Sequence, residues 1–117
     1  WDEEPYTSFT EGGKQTHAKI TEAYTGDITG TSSLQYLMSH QSDGTALFTG
    51  FEVLEASLGG EAGRVILQHI GRFEGGSAKS DFTIVPGSGT GAWAGKSGSG
   101  SFEAGHGQAN YTLTLSE

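Results

Sequence analysis

Residues 64–85 read RVILQHIGRFEGGSAKSDFTIV, and this stretch decides the fold. It contains two runs rich in Val, Ile, Leu, Phe and Thr, separated by Gly75-Gly76. β-branched and aromatic residues favour strands, and a Gly-Gly pair is a typical two-residue hairpin turn. The stretch therefore predicts an antiparallel hairpin in which His69 lies opposite Phe82.

The rest of the chain repeats this pattern. Glycine supplies 20 of the 117 residues, more than twice the usual share of roughly 7%. The glycines separate runs that are rich in strand-forming residues, at positions 15–28, 32–41, 46–58, 64–74, 78–85, 99–104 and 110–116. No window sustains a helical period, so we expect one short helical turn around 91–96 at most. Residues 1–117 are thus predicted to form a single all-β domain with minimal helix.

Hairpin registers predict which side chains share one face, because side chains alternate along a strand. A two-residue turn at Asp43-Gly44 would place Tyr36 opposite Phe51. The link that follows residue 58 leaves its register open, and pairing Leu58 with Arg64 keeps one face largely apolar. That inner face would comprise Leu34, Tyr36, Met38, Leu47, Phe51, Val53, Val65, Leu67, Phe73, Phe82 and Ile84.

The opposite face, which carries Glu52 and Gln68, is too apolar for bare solvent. A one-residue bulge would exchange the facing of these two residues. An antiparallel sheet with one dry face and one half-apolar face predicts a small β-barrel whose outside is partly covered by another copy of the chain. A β-sandwich is the alternative.

The charge balance limits the possible partners. Lys and Arg number 6 against 14 Asp and Glu, which gives a net charge of −8. So acidic a chain is not expected to bind nucleic acid or an anionic membrane. There is no cysteine, and the four histidines lack the spacing of metal ligands, so no metal or cofactor is expected. No apolar stretch is long enough to cross a membrane, and we expect a cytoplasmic protein.

Three residues stand out as candidates for catalysis: His69, Tyr36 and Glu22. His69 lies within an apolar run and would point to the inner face, where an imidazole can act as acid, base or ligand contact. A hydrogen-bonded core histidine is the alternative. Tyr36 shares that face with His40, and both could line one wall of a cavity.

The facing of Glu22 depends on the first hairpin. A three-residue loop at 29–31 places Glu22 and Tyr24 inside, whereas a two-residue loop at 30–31 places them outside. If it points inward, Glu22 would join His40 and His69 as a carboxylate and imidazole set in a dry pocket.

The glycine-rich segment 87–97, GSGTGAWAGKS, has a superficial likeness to a phosphate-binding loop. Its glycines are one residue too close together for that motif, and no βαβ unit surrounds it. We expect a structural turn that plugs one end of the barrel with Trp93.

Several short segments, taken in order, resemble a bacterial family of uncharacterised proteins, a domain of unknown function grouped with the allene oxide cyclase barrel. They are Trp1–Glu3, Tyr24–Gly30, Tyr36–Met38, Asp43–Ala46, Phe48–Glu52, Gln68–Gly76, Val85–Gly91 and Tyr111–Leu113. The resemblance implies an antiparallel β-barrel in a homo-oligomer, with no established activity. It also implies a further strand upstream of Trp1, which this chain lacks. Allene oxide cyclase itself is an analogy of fold alone.

These observations predict a homo-oligomeric barrel that binds a small hydrophobic molecule inside. The expected lining is Tyr36, His40, Phe51, Val53, Leu67, His69 and Phe82. One alternative is a cofactor-independent isomerase or cyclase in which Tyr36, His69 or Glu22 moves a proton. The other is a barrel filled by its own side chains that acts through its surface.

Overall fold

The structure is a computed structural model that describes residues 2–8, 13–105 and 108–116. These residues form a single antiparallel sheet of nine strands. The strands are β1 (Asp2–Ser8), β2 (Lys14–Tyr24), β3 (Ile28–His40), β4 (Ala46–Leu58), β5 (Glu61–Glu74), β6 (Ser77–Ile84), β7 (Thr90–Gly91), β8 (Ser97–Gly105) and β9 (Gln108–Ser116). The predicted all-β class is therefore confirmed. The described residues also contain no helix with the length and apolar character of a membrane span.

The order of the strands is β1-β2-β3-β4-β5-β6-β8-β9, and the short β7 pairs with β5 off this path. Within the described residues no ladder joins β9 to β1, so the sheet is not closed into a barrel. The strand β1 pairs with β2 from Lys14 to Lys19 alone, and the end of β2 extends beyond it.

The hairpin between β5 and β6 has the predicted register. His69 pairs with Phe82, and Glu74 pairs with Ser77 across the Gly75-Gly76 turn. Both glycines have positive φ angles, 61° and 81°. A type I′ turn requires this conformation, and glycine adopts it without strain.

The predicted register between β3 and β4 is wrong by one residue. His40 pairs with Ala46 rather than with Leu47. The Gln41 N–H donates to the Thr45 carbonyl at 2.8 Å, and the Gly44 N–H donates to the Gln41 carbonyl at 3.2 Å. The loop is thus three residues long and has Gly44 in the left-handed position of a bulge, with φ 91°.

This extra loop residue turns every side chain of β4 over. Leu47, Phe51 and Val53, predicted inside, lie on the outer face, where Phe51 is 52% exposed. Glu52 and Phe48 take their place on the inner face and are buried. A one-residue shift has this effect because the side-chain period of a strand is two.

A second register difference restores the facing of β5. Leu58 pairs with Glu61 across a two-residue Gly59-Gly60 turn, not with Arg64. The difference between Glu61 and Arg64 is three residues, which is odd, so it reverses the facing of β5 relative to β4 once more. Leu67 and His69 therefore point inward as predicted.

The first hairpin turns earlier than either predicted loop. Tyr24 pairs with Gly30, so residues 25–29 connect the pair; residues 25–27 lie outside the strands, and Ile28 and Thr29 already pair with β4. Glu22 and Tyr24 nevertheless face the inner side, as the three-residue alternative required, but Glu22 lies opposite Ser32 instead of Met38.

The inner face carries two hydrophobic clusters. One surrounds Trp93, which is fully buried and donates its indole N–H to the Ala56 carbonyl at 3.1 Å. The other contains Tyr36 stacked on Phe48, with ring centroids 4.7 Å apart. Residues 92–95 form a tight turn that places Trp93, not a helix. The predicted burial of Trp93 is therefore confirmed.

Several strand glycines provide room for the aromatic rings of this face. A Cβ atom at any of them would lie within 3 Å of a ring atom. The pairs are Gly50 with Tyr36, Gly63 with Trp93, Gly71 with Phe48, and Gly100 with Phe82. Much of the glycine content thus allows large rings to lie flat on the strands.

We expect Gly50→Ala to lower the free energy of unfolding by about 1–3 kcal/mol, because overpacking strains a filled core. The new Cβ would meet the Gln35 carbonyl and the Tyr36 ring. Urea denaturation measures the effect, with Ser99→Ala at an exposed position of β8 as the control. Equal stability of the two variants would contradict the proposed role of Gly50.

Candidate functional site

The candidate site lies on the inner face, where neighbouring strands present their inward residues in rows. Tyr36, Gly50, His69 and Phe82 form one such row across β3, β4, β5 and β6. Because Gly50 has no side chain, the Tyr36 ring reaches the His69 ring, and their centroids are 5.6 Å apart. On its other side His69 contacts Phe82 at 5.0 Å.

A chain of hydrogen bonds links His69 to Glu52 in the adjacent row. His69 Nε2 lies 2.8 Å from Glu52 Oε1, and His69 Nδ1 lies 2.9 Å from Ser80 Oγ. The Tyr24 hydroxyl donates to Glu52 Oε2 at 2.5 Å. The side chains of Glu52 and His69 are 1% and 2% exposed. Four strands therefore hold one buried carboxylate in a fixed position.

Glu52 is held in its ionised form. Burial acts to raise its pKa, but hydrogen bonds from His69 and Tyr24 outweigh burial, and the pKa lies below its ordinary value. A carboxylate that accepts several hydrogen bonds favours its charged form. The two ring nitrogens of His69 thus both have hydrogen-bond partners, Glu52 at Nε2 and the Ser80 hydroxyl at Nδ1.

The pKa of Glu22 is shifted in the opposite direction, upward. Burial raises its pKa, the charge of Glu52 raises it further, and the smaller effects of His69 and Tyr24 do not reverse the shift. Its one hydrogen bond to a described side chain is a long one, from the Tyr24 hydroxyl at 3.5 Å. Two nearby carboxylates with pKa values moved apart are a common arrangement of an acid and a base.

The two inner tyrosines stay protonated. Burial raises the pKa of Tyr24 and of Tyr36, and the charge of Glu52 adds to both shifts. The Tyr24 hydroxyl is thus a permanent donor to Glu52.

Ser32 adds a hydroxyl group beside these residues. It is 5% exposed, and its hydroxyl has no hydrogen-bond partner among the described residues. The hydroxyl is close enough to contribute to the pKa values of Glu52 and Tyr24. An unpartnered buried hydroxyl is uncommon in a folded protein.

A small enclosed space lies between these side chains. Its volume is about 10 Å³, roughly what the centre of one water molecule needs. Tyr24 and Tyr111 meet edge to face beside it at 5.3 Å, and Tyr111 is 38% exposed. The lining residues are Glu22, Tyr24, Leu34, Tyr36, Glu52, His69, Phe82, Phe102 and Tyr111.

The structure brings together part of the predicted set. His69, Tyr36, Phe82 and Glu22 line the space, and Leu67 is buried next to it in the Trp93 cluster.

His40 lies elsewhere on the inner face. Its Nε2 is hydrogen-bonded to Glu3 and, at 3.2 Å, to Thr16, so it does not join His69. Phe51 and Val53 lie on the outer face, away from the space.

Sequence reasoning missed Glu52, Ser80, Phe102 and Tyr111. The two-residue turn expected at Asp43-Gly44 puts Glu52 on the outer face, whereas the alternative with a one-residue bulge puts it on the inner face, where it lies. Within the described residues, no group of three or more acidic or histidine side chains is arranged to hold a metal ion.

We expect Glu52→Gln to lower the free energy of unfolding by about 2 kcal/mol at neutral pH, because it disrupts a buried hydrogen-bonded pair. The pKa of Glu52 is below its ordinary value of 4.5. Its ionised form therefore stabilises the fold above that pH, and the stabilisation is lost as the pH falls through the folded-state pKa. Urea denaturation at several pH values should show the deficit shrinking below 4.5.

Glu22→Gln provides the matched comparison, with the opposite sign. The pKa of Glu22 is raised, so the wild-type chain loses stability as the pH rises from 4.5 through the folded-state value. The variant avoids this loss and gains less than about 1 kcal/mol at neutral pH, since water screens a half-buried charge. Glu55→Gln, at an exposed position of the outer face, is the control. If Glu52→Gln and Glu22→Gln change the free energy of unfolding in the same direction at neutral pH, the opposite pKa shifts assigned to the two carboxylates are contradicted.

Comparisons with known proteins identify the family of this chain. A crystal structure of a DUF3224 protein of unknown function from Shewanella oneidensis MR-1 is similar, with a TM-score of 0.79 and 21% identity. The alignment covers 98% of this chain and 89% of that one, and at this identity it shows the fold alone. No curated protein matches. The family model for proteins of unknown function DUF3224 matches residues 1–115, and the chain therefore belongs to this family.

Proposed function

We propose that this protein binds a small molecule at the inner site, in front of Glu52 and His69. The observation that carries the proposal is the hydrogen-bonded set of Glu22, Tyr24, Glu52 and His69 enclosed among aromatic rings. Ligand sites commonly combine an apolar lining with a few convergent polar groups. The expected ligand is compact and largely apolar, with one polar group.

The buried charge is the reason for preferring a site to a purely structural core. Burying a carboxylate and its partner costs several kcal/mol, and apolar replacements of similar shape are often at least as stable. Glu52 and His69 are nonetheless almost fully buried in the middle of the sheet. Such a network, placed beside a small cavity, is typical of functional sites.

Entry of a ligand requires one side chain to move. The present space accommodates about one water molecule. Tyr111 is the most exposed member of the lining and meets Tyr24 edge to face. In our proposal Tyr111 swings outward, and the apolar body of the ligand replaces its ring.

We further propose that the outer face of β3, β4 and β5 contacts a second copy of the chain. Leu37, Leu47, Phe51 and Ile70 lie there, each more than half exposed. Contiguous exposed apolar side chains on a sheet favour association. A homo-oligomer with a closed, barrel-like interior, as in the allene oxide cyclase group, would enclose the site further.

Native mass spectrometry of protein taken directly from cells tests the proposal. The expected result is a stoichiometric small molecule, released on denaturation, in an oligomer of defined mass. Phe102→Ala should lose the molecule, since Phe102 lines the site, whereas Glu55→Gln on the outer face should retain it. Loss from both variants alike, or no bound molecule and no binding of aromatic and aliphatic probes, would count against the proposal.

A cofactor-independent isomerase or cyclase is the second candidate. It is favoured by the two carboxylates, because the pKa of Glu22 is raised while that of Glu52 is lowered. Glu22 is half buried and lines the space, where it could exchange a proton with a bound molecule. Glu52 would hold Tyr24 and His69 in place.

Hydrogen exchange at carbon measures this activity. In D₂O, the molecule released from the native protein should take up deuterium when wild-type protein is added. Glu22→Gln should slow the uptake by about a hundredfold, a typical effect of removing a general base. Glu55→Gln is the control and should react like the wild type. Equal rates for Glu22→Gln and the wild type would exclude Glu22 as the base, and uptake no faster than without protein would leave binding without catalysis.

A further inference from the structure

Two carboxylates and one imidazole line the inner site, and the imidazole is paired with one of the carboxylates. Glu22 and Glu52 contribute carboxylates, and no Lys or Arg lies among the described residues of the lining. The chain as a whole carries a net charge of −8. The site therefore attracts a positive group and repels an anion.

Two of its polar groups have unused capacity to accept hydrogen bonds. Glu22 receives one long hydrogen bond at 3.5 Å, from a Tyr24 hydroxyl that already donates to Glu52 at 2.5 Å. Ser32, in register with Glu22 on the same face and next to the lining residues, is 5% exposed; its hydroxyl lies near Glu52 and Tyr24, but meets no described group at good hydrogen-bond geometry. The uncompensated charge of Glu22 is also seen in its raised pKa, caused by burial and then by Glu52.

We propose that the inner site binds the primary ammonium group of a small amine. This inference rests on the proposed binding function and names its ligand class. An ammonium group carries three N–H donors and is a compact point charge. Glu22, Glu52 and the Ser32 hydroxyl are three acceptors on neighbouring inner positions.

The volume of the space and its aromatic lining also suit a primary ammonium group. A volume of about 10 Å³ takes a group the size of water. The rings of Tyr36 and Phe82 line it, and aromatic faces attract cations. The apolar part of the amine would leave past Tyr24 and Tyr111, the pair at the mouth.

Other ligand classes fit less well. A carboxylate would face two carboxylates of like charge. An alcohol would leave the charge of Glu22 without an opposite charge. A quaternary ammonium has no N–H to donate, and its methyl groups exceed the space.

A series of four matched probes tests the inference at neutral pH. Benzylamine, benzyl alcohol, benzoate and benzyltrimethylammonium share one ring and differ in the head group. Calorimetry or NMR titration of the wild-type protein should show benzylamine binding at least about tenfold more tightly than the other three, a difference of about 1.4 kcal/mol.

Two variants locate the head group. Glu22→Gln should weaken benzylamine about tenfold and benzyl alcohol by much less, since the variant removes a charge and preserves the shape. Ser32→Ala should weaken benzylamine a few-fold. Glu55→Gln, on the outer face, is the control and should bind like the wild type. Benzylamine affinity should also decline as the pH falls through the raised pKa of Glu22.

The outcomes separate this inference from the proposed function. Benzyl alcohol binding as tightly as benzylamine, or benzyltrimethylammonium binding more tightly, overturns the ammonium assignment and leaves a neutral or quaternary binding site. If no probe binds but native protein releases a stoichiometric molecule that is not an amine, the assignment also fails while the binding function stands. If no probe binds and the native protein is empty, both fail.

Discussion

The buried carboxylate of Glu52 is the constraint on which the inner face depends. Its two oxygens accept from His69 and Tyr24, which come from β5 and β2 on opposite sides of β4. An ionised group in this position is tolerated only if its hydrogen bonds are made. The strands β2, β4 and β5 must therefore keep His69 and Tyr24 in position around Glu52 at the same time. This requirement fixes the arrangement of the inner side chains more tightly than burial of apolar groups alone would.

The glycines make this arrangement possible. Gly50 separates Tyr36 from His69 in the same row, so the two rings meet above a bare strand. At Gly71 the ring of Phe48 occupies the place of a side chain. Glycine weakens a strand by itself, but a ring that covers the exposed backbone offsets part of that cost. A composition that suggests flexibility thus produces a closely packed inner face.

Local patterns predicted the strands and the tight Gly75-Gly76 hairpin, because alternation and turn residues act over a few positions. The predictions failed where one residue changes a loop. At Gly44 a bulge added one residue, which exchanged Phe51 for Glu52 on the inner face. Phe102 and Tyr111 join the site from β8 and β9, whose distance from Glu22 along the chain leaves no local signal. His69 was placed correctly because two odd register errors, on either side of β4, cancelled.

Two carboxylate–imidazole pairs lie among the described residues, and their contrast shows what burial adds. Glu3 and His40 are about a quarter exposed, and a pair in contact with water contributes little to stability or to specificity. Glu52 and His69 are sealed from water, so each polar atom must be satisfied from within. Glu22 and Ser32 are the two neighbours whose hydrogen-bonding capacity is not met in this way. The other polar groups of the network have their hydrogen bonds made. The capacity to accept further hydrogen bonds is therefore concentrated at Glu22 and Ser32, where a bound molecule can donate to them.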